Sequence, residues 1–319
     1  MHTLSVCLIT YNHVKYIQQA LDSVLMQKVN FSWNVVIADD YSTDGTREIL
    51  LEYKEKYSDL LHLILQENNV GASQNCIDLL SYPNCKYIAY LDGDDYWTDP
   101  YKLQKQIDFL ENNPEYGICY SKARFYIQNS KKFLKRNYGR QLKAENLDDL
   151  ITNNGQIPSL TVCVRKELLP RYYHEIKPDT RWFLLGDRPF WIWIAYNSKI
   201  HYFDEIFGVY RVVNKSASHP NSYDKKKEYH TEYYSIKIFF ADLYDRSYLK
   251  NIIEDKMYLT LANLSIKFKK YTEFREYISK VKRSTKRVKM KKVIAKSLLF
   301  MMIYHYLSYY KSKLNSLMK

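Results

Sequence analysis

Three carboxylates follow directly on an apolar run in Lys86-Tyr87-Ile88-Ala89-Tyr90-Leu91-Asp92-Gly93-Asp94-Asp95. The run has the length and character of a buried strand. Strand side chains alternate with period two, so Asp92 and Asp94 leave it on the same side. Two carboxylates side by side repel unless a cation sits between them. Oxygen donors suit a hard divalent metal, Mn2+ or Mg2+, which can in turn hold a diphosphate. Turn and cap chemistry also favours Asp, and it accounts for Asp99 before Pro100, read as a helix cap and first helical position. It does not account for three acids packed behind a hydrophobic strand.

The segment leading to those acids must position them, and it alternates strand with helix. Strand-like runs at 4–9, 35–38, 61–65 and 86–91 are separated by helical patterns at 14–27, 46–57 and 71–81. Ser42, Thr43 or Asp44 is available to cap the second helix. Such β-α-β-α-β-α-β order implies a mostly parallel α/β sheet with right-handed crossovers and helices on both faces. Ligands of open α/β sheets bind beyond the carboxyl ends of the strands. Polar clusters fall at three of those ends: Thr10-Tyr11-Asn12, Asp39-Asp40-Tyr41-Ser42 and Asp92-Gly93-Asp94-Asp95. They are distant in sequence and expected to converge in space. The first strand–helix turn contains no glycine, and no G-x-x-x-x-G-K-[ST] occurs. Both facts count against a nicotinamide enzyme and a P-loop enzyme.

Beyond residue 115 the pattern is less regular. Strands are expected at 117–121 and 159–164, an aromatic-rich helix at 186–197, and one or two strands within 200–213. Helical patterns dominate from about 225 onward. The expected division is 1–222, with halves 1–115 and 116–222, and a helical, basic region 223–319.

The chain carries a net charge of +13, but twelve uncompensated cations lie between Lys280 and Lys319, leaving residues 1–279 at about +1. The basicity thus belongs to the tail. There it accompanies the apolar runs 293–295 and 298–304, interrupted by Lys296 and His305 and too short for a confident span of about 20 apolar residues. A basic helix with bulky apolar residues suits an anionic membrane surface. A helix packed on the rest of the chain, or on a second copy in a homo-oligomer, is the alternative. No nucleic-acid-binding fold accompanies the charge. The five cysteines, Cys7, Cys76, Cys85, Cys119 and Cys163, are scattered, odd in number and form no CxxC pair. That favours a reducing compartment with neither disulfides nor zinc. With a strand starting at the N-terminus and no leader pattern, the expectation is a cytoplasmic protein, peripheral to the inner membrane surface.

These residues, in order, resemble glycosyltransferase family 2 of the GT-A fold across the first 220 or so positions. Val6 to Asn12 resembles the opening strand with its Tyr-Asn end. Ile37 to Thr46 resembles the family's DDxSxDGT turn, Asn68 to Asn75 its NxGxxxARN segment, and Asp92-Gly93-Asp94 its DXD metal motif. Gly186-Asp187 before an aromatic helix is similar to the segment carrying the catalytic base. Tyr210-Arg211 with Ser216, Ser218 and His219 is similar to a late Tyr-Arg…Ser…His element. Two departures stand out: Gln74 replaces the usual arginine of the third segment, and Tyr41 the usual glycine after the paired acids.

The resemblance implies an inverting transferase moving a sugar from a nucleotide-diphosphate donor, with UDP favoured, to a glycan or lipid-linked hydroxyl in cell-surface polysaccharide synthesis. It implies Asp187 as general base. Donor contacts would come from Thr10, Tyr11, Asn12, Asp39, Asn69, Gly71, Asp92, Gly93 and Arg211. Asp94, Asp92 and, as a further candidate, His219 would hold Mn2+ or Mg2+. Asp39 would accept the N3–H of uracil, although an Asx turn capping the next helix explains the same residue. Trp191 or Phe190 would desolvate Asp187 and raise its pKa. A metal-dependent nucleotidyltransferase and a non-catalytic nucleotide-sugar-binding module are the competing readings. The first would release pyrophosphate and the second nothing.

Overall fold

A computed structural model of the chain describes residues 2–138, 144, 146–152, 157–178, 187–213 and 222–317. The chain divides into two compact units, Met1–Val213 and Asn214–Lys319.

The first unit begins with the expected alternation: β1 (His2–Thr10), α1 (Ile17–Leu25), β2 (Trp33–Asp39), α2 (Thr46–Lys56), β3 (Leu61–Leu65), α3 (Ala72–Ser81) and β4 (Cys85–Asp92). β1 pairs parallel with β2 and β4, and β2 with β3. Helices cover both faces, which is why β1 and β2 read as nearly unbroken apolar runs rather than alternating ones. Leu4, Val6, Leu8, Val35 and Ile37 are fully buried and join Ile17, Leu21 and Val24 of α1 in the core.

After β4 the strand directions mix. The sheet order is β3-β2-β1-β4-β8-β6-β9-β5, formed with β5 (Tyr96–Trp97), β6 (Tyr116–Ile127), β8 (Cys163–Arg165) and β9 (Lys199–Val212). β8 runs antiparallel to both β4 and β6, whereas β9 runs parallel to β6 and antiparallel to β5. β7 (Lys132–Tyr138) extends β6 as a hairpin. α4 (Lys102–Asn112), α5 (Leu147–Thr152), α6 (Leu168–Ile176) and α7 (Asp187–Asn197) complete the unit.

Three local expectations need correction. Helix α4 starts at Lys102, because Asp99 folds into a turn. Its Oδ1 accepts from Tyr101 N at 2.8 Å and its carbonyl from Lys102 N at 3.2 Å. The segment 159–164 is a 3-10 turn at Ser159–Thr161 followed by the short β8. Side chains capture its backbone: Trp97 Nε1 donates to Leu160 O, and Thr161 Oγ1 to Pro158 O. The segment 200–213 is one long strand, with register irregularities opposite Ser121 and Lys122.

The second unit is helical: α8 (Tyr223–Leu243), α9 (Lys250–Lys267), α10 (Tyr271–Lys280), α11 (Lys286–Ile294) and α12 (Leu298–Leu317). Ser222 and Thr285 cap α8 and α11 through their hydroxyls. Its core gathers Leu261, Ile266, Phe274, Ile278, Val288 and Met301. Met301 is buried, yet Leu298, Leu299, Phe300, Met302, Ile303, Tyr306 and Leu307 on the same helix are each about half exposed or more. Among the described residues, no helix is long and apolar enough to cross a membrane.

Candidate active site

Strand pairing brings the three polar clusters together. Thr10 lies opposite Asp39, and Ile9 opposite Asp92, so β2, β1 and β4 end side by side. Short side chains then cross-brace the loops. Asn12 N donates to Ser42 Oγ at 2.8 Å, and Asn12 Oδ1 accepts from Thr43 N at 2.9 Å. His13 N donates to Thr46 Oγ1 and Val14 N to Asp44 Oδ2. Asp40 reaches the next loop: its carboxylate accepts from Val70 N and Gly71 N, and its carbonyl from Asn69 Nδ2. Asn12, Asn69 and Gly71 therefore lie on loops braced to the end of β2. In the first cluster Thr10 is buried, whereas Tyr11 and Asn12 are exposed.

The acidic turn passes tightly over β1. Gly93 N donates to Ile9 O, and a Cβ at Gly93 would come within 2.7 Å of Thr10 Oγ1 and 2.8 Å of His13 Nδ1. Such approaches exclude a side chain. The Thr10 hydroxyl lies 3.1 Å from His13 Nδ1. Burial pulls the His13 imidazole below its usual range, against the opposing charges of Asp94, Asp44 and Asp39. Sequence reading missed His13; its place beside the glycine-free first turn was the available signal.

Asp187 reaches the same neighbourhood from the far half of the unit. Burial raises the Asp92 carboxyl to about 7, and the charges of Asp94 and Asp187 add to that rise. Cys76 of α3 is pushed up to about 12 by burial and then by Asp92 and Asp187. Thus β4, α3 and α7 deliver their polar groups to one place. Asp187 itself opens α7 and accepts a hydrogen bond from the Ser159 hydroxyl, a partner that sequence did not suggest.

Several expected roles change with the surroundings. Asp187 is exposed, whereas Phe190 and Trp191 are buried in the core, so desolvation falls on Asp92 rather than on Asp187. Trp191 lies edge-on to Tyr90, and Trp193 Nε1 donates to Glu175, which makes both tryptophans packing residues. Asp39 is fully buried. Its Oδ2 accepts from Ser42 N at 2.9 Å and Arg47 Nε at 2.6 Å, and its Oδ1 from the Ser42 hydroxyl. Tyr41 has φ of 63°, a left-handed conformation that explains why glycine suits this position, and its ring stacks under the Arg47 guanidinium at 5.1 Å.

Arg211, expected to face the diphosphate, is instead buried behind the acidic turn. Its Nε donates to Asp94 O at 2.7 Å, while its terminal nitrogens donate to Gln128 Oε1 and Gln19 Oε1. Asp95 accepts from Arg211 N, and its other oxygen has no hydrogen-bond partner among the described residues. Burial, then Asp94 and Asp92, raise the Asp95 carboxyl well above the usual range. Gly186, Ser216, Ser218 and His219 lie outside the described residues.

The raised Asp92 pKa has a definite sign. An unfolded Asp titrates near about 3.9, so between there and about 7 the folded chain holds the extra proton. Stability of the metal-free protein should therefore fall as pH rises through that window and then level off. Denaturant midpoints measured in chelator test this. Asp92→Asn should flatten the fall, and a variant profile parallel to that of the wild type would overturn it.

Among the described residues, no group of three His, Cys, Asp or Glu has metal-binding geometry. The donor set nevertheless fits a hard divalent cation. Asp92 and Asp94 are oxygen donors, the charge of Asp94 helps to raise the Asp92 carboxyl, and Asp95 keeps an oxygen without a partner among the described residues. Cations of the magnesium class often take one or two carboxylates and complete their shell with water and substrate phosphate.

A family model for glycosyl transferase family 2 matches residues 5–172. An uncharacterized protein of Mycobacterium tuberculosis is 41% identical over 129 residues, covering 40% of this chain and 37% of that protein. The putative teichuronic acid biosynthesis glycosyltransferase TuaG of Bacillus subtilis is 40% identical over 107 residues, covering 34% of this chain and 41% of TuaG. The match thus spans about two fifths of these curated relatives. Among solved structures, S. aureus TarS 1-349 in complex with UDP-GlcNAc superposes with a TM-score of 0.62 at 20% identity, covering 97% of this chain and 92% of that one. The mannosyltransferase PcManGT of Pyrobaculum calidifontis, in complex with GDP-Man and Mn2+, gives 0.57 at 14% identity, covering 96% and 87%. These likenesses establish the GT-A-like fold, a mostly parallel sheet flanked by helices with a helical C-terminal extension. With the family model covering more than half of its length, the chain belongs to glycosyl transferase family 2.

Proposed function

We propose that the chain is an inverting glycosyltransferase that moves a sugar from a UDP-sugar to a hydroxyl of a glycan or lipid-linked acceptor in cell-surface polysaccharide synthesis. The observation that carries this reading is that parallel pairing ends β2, β1 and β4 side by side, with Asp39, Thr10 and Asp92 at their ends. The UDP-GlcNAc complex of TarS supports the donor, and TuaG the pathway class.

In this mechanism Asp187 takes the proton from the acceptor hydroxyl as its oxygen attacks the anomeric carbon, opposite the nucleotide. The bond to the diphosphate oxygen breaks as the new bond forms, and one displacement inverts the centre. Ser159 orients Asp187 through its hydroxyl. Asp92 and Asp94 would hold a divalent cation, Mn2+ or Mg2+, whose chemistry would be to draw charge off the departing diphosphate. Thr10 and Gly93 shape the floor of the donor cleft, and Tyr11 lies beside the base. Asp39 has three of its roughly four acceptor positions taken. A uracil N3–H can take the fourth, provided that the buried carboxylate is uncovered.

The test is a panel of nucleotide sugars scored for Mn2+-dependent binding and for the nucleotide released. Nucleoside diphosphate release in the presence of acceptor supports transfer. Pyrophosphate release would indicate nucleotidyl transfer, and binding without release a non-catalytic module.

The tail docks on the cytoplasmic face of the membrane in this reading. Its support is an acid-free basic segment from Lys280 onward, beside the exposed apolar side chains of α12. Truncation at 279 is a poor test, because Val281, Val288 and Met301 belong to the core of the second unit. Leu299→Asp with Ile303→Asp leaves that core intact. Co-sedimentation of this variant with phosphatidylglycerol vesicles should fall by about tenfold or more, and unchanged sedimentation would refute docking by α12.

A further inference from the structure

A cavity of about 440 Å³ in the second unit has a lining unlike the acidic cleft. Among the described residues it is walled by Arg283, Lys286, Arg287 and Lys291, with Asn263 and Thr285 and the apolar Leu259 and Val288, and by no acid. We propose that this cavity is a binding site for a phosphate monoester or diphosphate group.

Lys291 is buried to 8% exposure, with its ammonium donating to Asn263 Oδ1. Asn263 is an uncharged partner, so the charge of Lys291 is solvated but not neutralised. Arg283 Nε is buried with no hydrogen-bond partner among the described residues. A buried donor left unmade is costly, and an anion's oxygen would satisfy it. Thr285 caps α11, and the first backbone N–H groups of that helix open beside Lys286 and Arg287. Asp255 is buried but is not among the residues that line the cavity. Its two oxygens accept from the backbone N–H groups of Lys282 and Arg283, which shapes the loop entering the cavity.

The electrostatics agree with the geometry. Burial, then the charges of Arg287 and Arg283, lower the Lys291 ammonium below its usual range. Burial and Arg283 do the same to Lys256. The cations press on one another, as expected of a site shaped for an anion. A phosphoryl group with its three oxygens can accept from guanidinium, ammonium and helix N–H together. The volume also suits a compact polar ligand rather than a macromolecule.

Inorganic pyrophosphate is the probe, titrated calorimetrically into the full chain in chelator, so that the acidic cleft cannot take it with a metal. Wild type should bind it. Lys286→Gln with Arg287→Gln, both exposed side chains, should weaken binding by about tenfold or more. Lys291→Met should abolish binding if it folds; the surface pair keeps the test decisive if it does not. Asp94→Asn should leave it unchanged. Vesicles then distinguish the source. If pyrophosphate competes against phosphatidic acid vesicles but not phosphatidylglycerol vesicles of equal charge, the ligand is a lipid phosphate monoester. If it binds without displacing either, the ligand is a soluble phosphate. Absence of pyrophosphate binding at millimolar concentration, or equal binding by the Lys286, Arg287 variant, would overturn the site.

Discussion

Asp187→Asn is expected to lower turnover by about 10²–10⁴, with donor affinity little changed. The amide keeps the shape of the side chain and can still accept from the Ser159 hydroxyl, as the carboxylate does now. It cannot take a proton from an acceptor oxygen. The donor cleft, by contrast, is built by β1, β2 and β4 and their cross-braced loops, none of which touches α7 through the hydrogen bonds described above. Losing the Asp187 charge also removes a negative charge that acts on the Asp92 carboxyl and would attract a divalent cation there, so metal affinity should fall slightly. Steady-state nucleotide release measures the first effect, and calorimetric titration of Mn2+ and UDP the second. Turnover equal to wild type would assign the base elsewhere; lost donor binding would make Asp187 a donor residue.

Much of this site was legible because its parts sit at strand ends. Four apolar runs fixed where β1 to β4 stop, and parallel pairing leaves residues such as Thr10, Asp39 and Asp92 side by side. What sequence could not supply was how polar side chains divide their hydrogen bonds. Asp39 in isolation offers four acceptor positions, but burial hands three of them to Ser42 and Arg47. Asp187 precedes an aromatic helix, yet helical geometry turns Phe190 and Trp191 inward while the first residue stays at the surface. The region after residue 115 was harder because its order depends on non-local pairing: β6 meets β9 some eighty residues later, and β8 inserts between β4 and β6. Ser159–Val164 reads as a strand, and tertiary capture of Leu160 O by Trp97, with the local bond from Thr161 to Pro158 O, turns its first half into a 3-10 turn.

Arg211→Met is expected to destabilise the first unit by about 1–3 kcal/mol and to weaken metal binding through the fold rather than through lost contact. The guanidinium is 6% exposed, lies over the Tyr16 and Tyr96 rings and donates to three separate acceptors. One of these is the carbonyl of Asp94, so the residue fixes the backbone that carries the carboxylate proposed to hold the cation. Removing it leaves three part-buried acceptors without that donor and takes away the positive charge that opposes the upward push on Asp95. Lysine cannot restore this arrangement, because a single ammonium does not span the fork reached by Nε and both terminal nitrogens. Arg211→Lys should therefore recover only part of the loss. Urea denaturation read alongside Mn2+ titration separates the two possible roles. A positioning residue lowers the midpoint and the metal affinity together. A residue that only contacts the diphosphate would raise the KM for donor while leaving the midpoint at its wild-type value, and that result would return Arg211 to the donor.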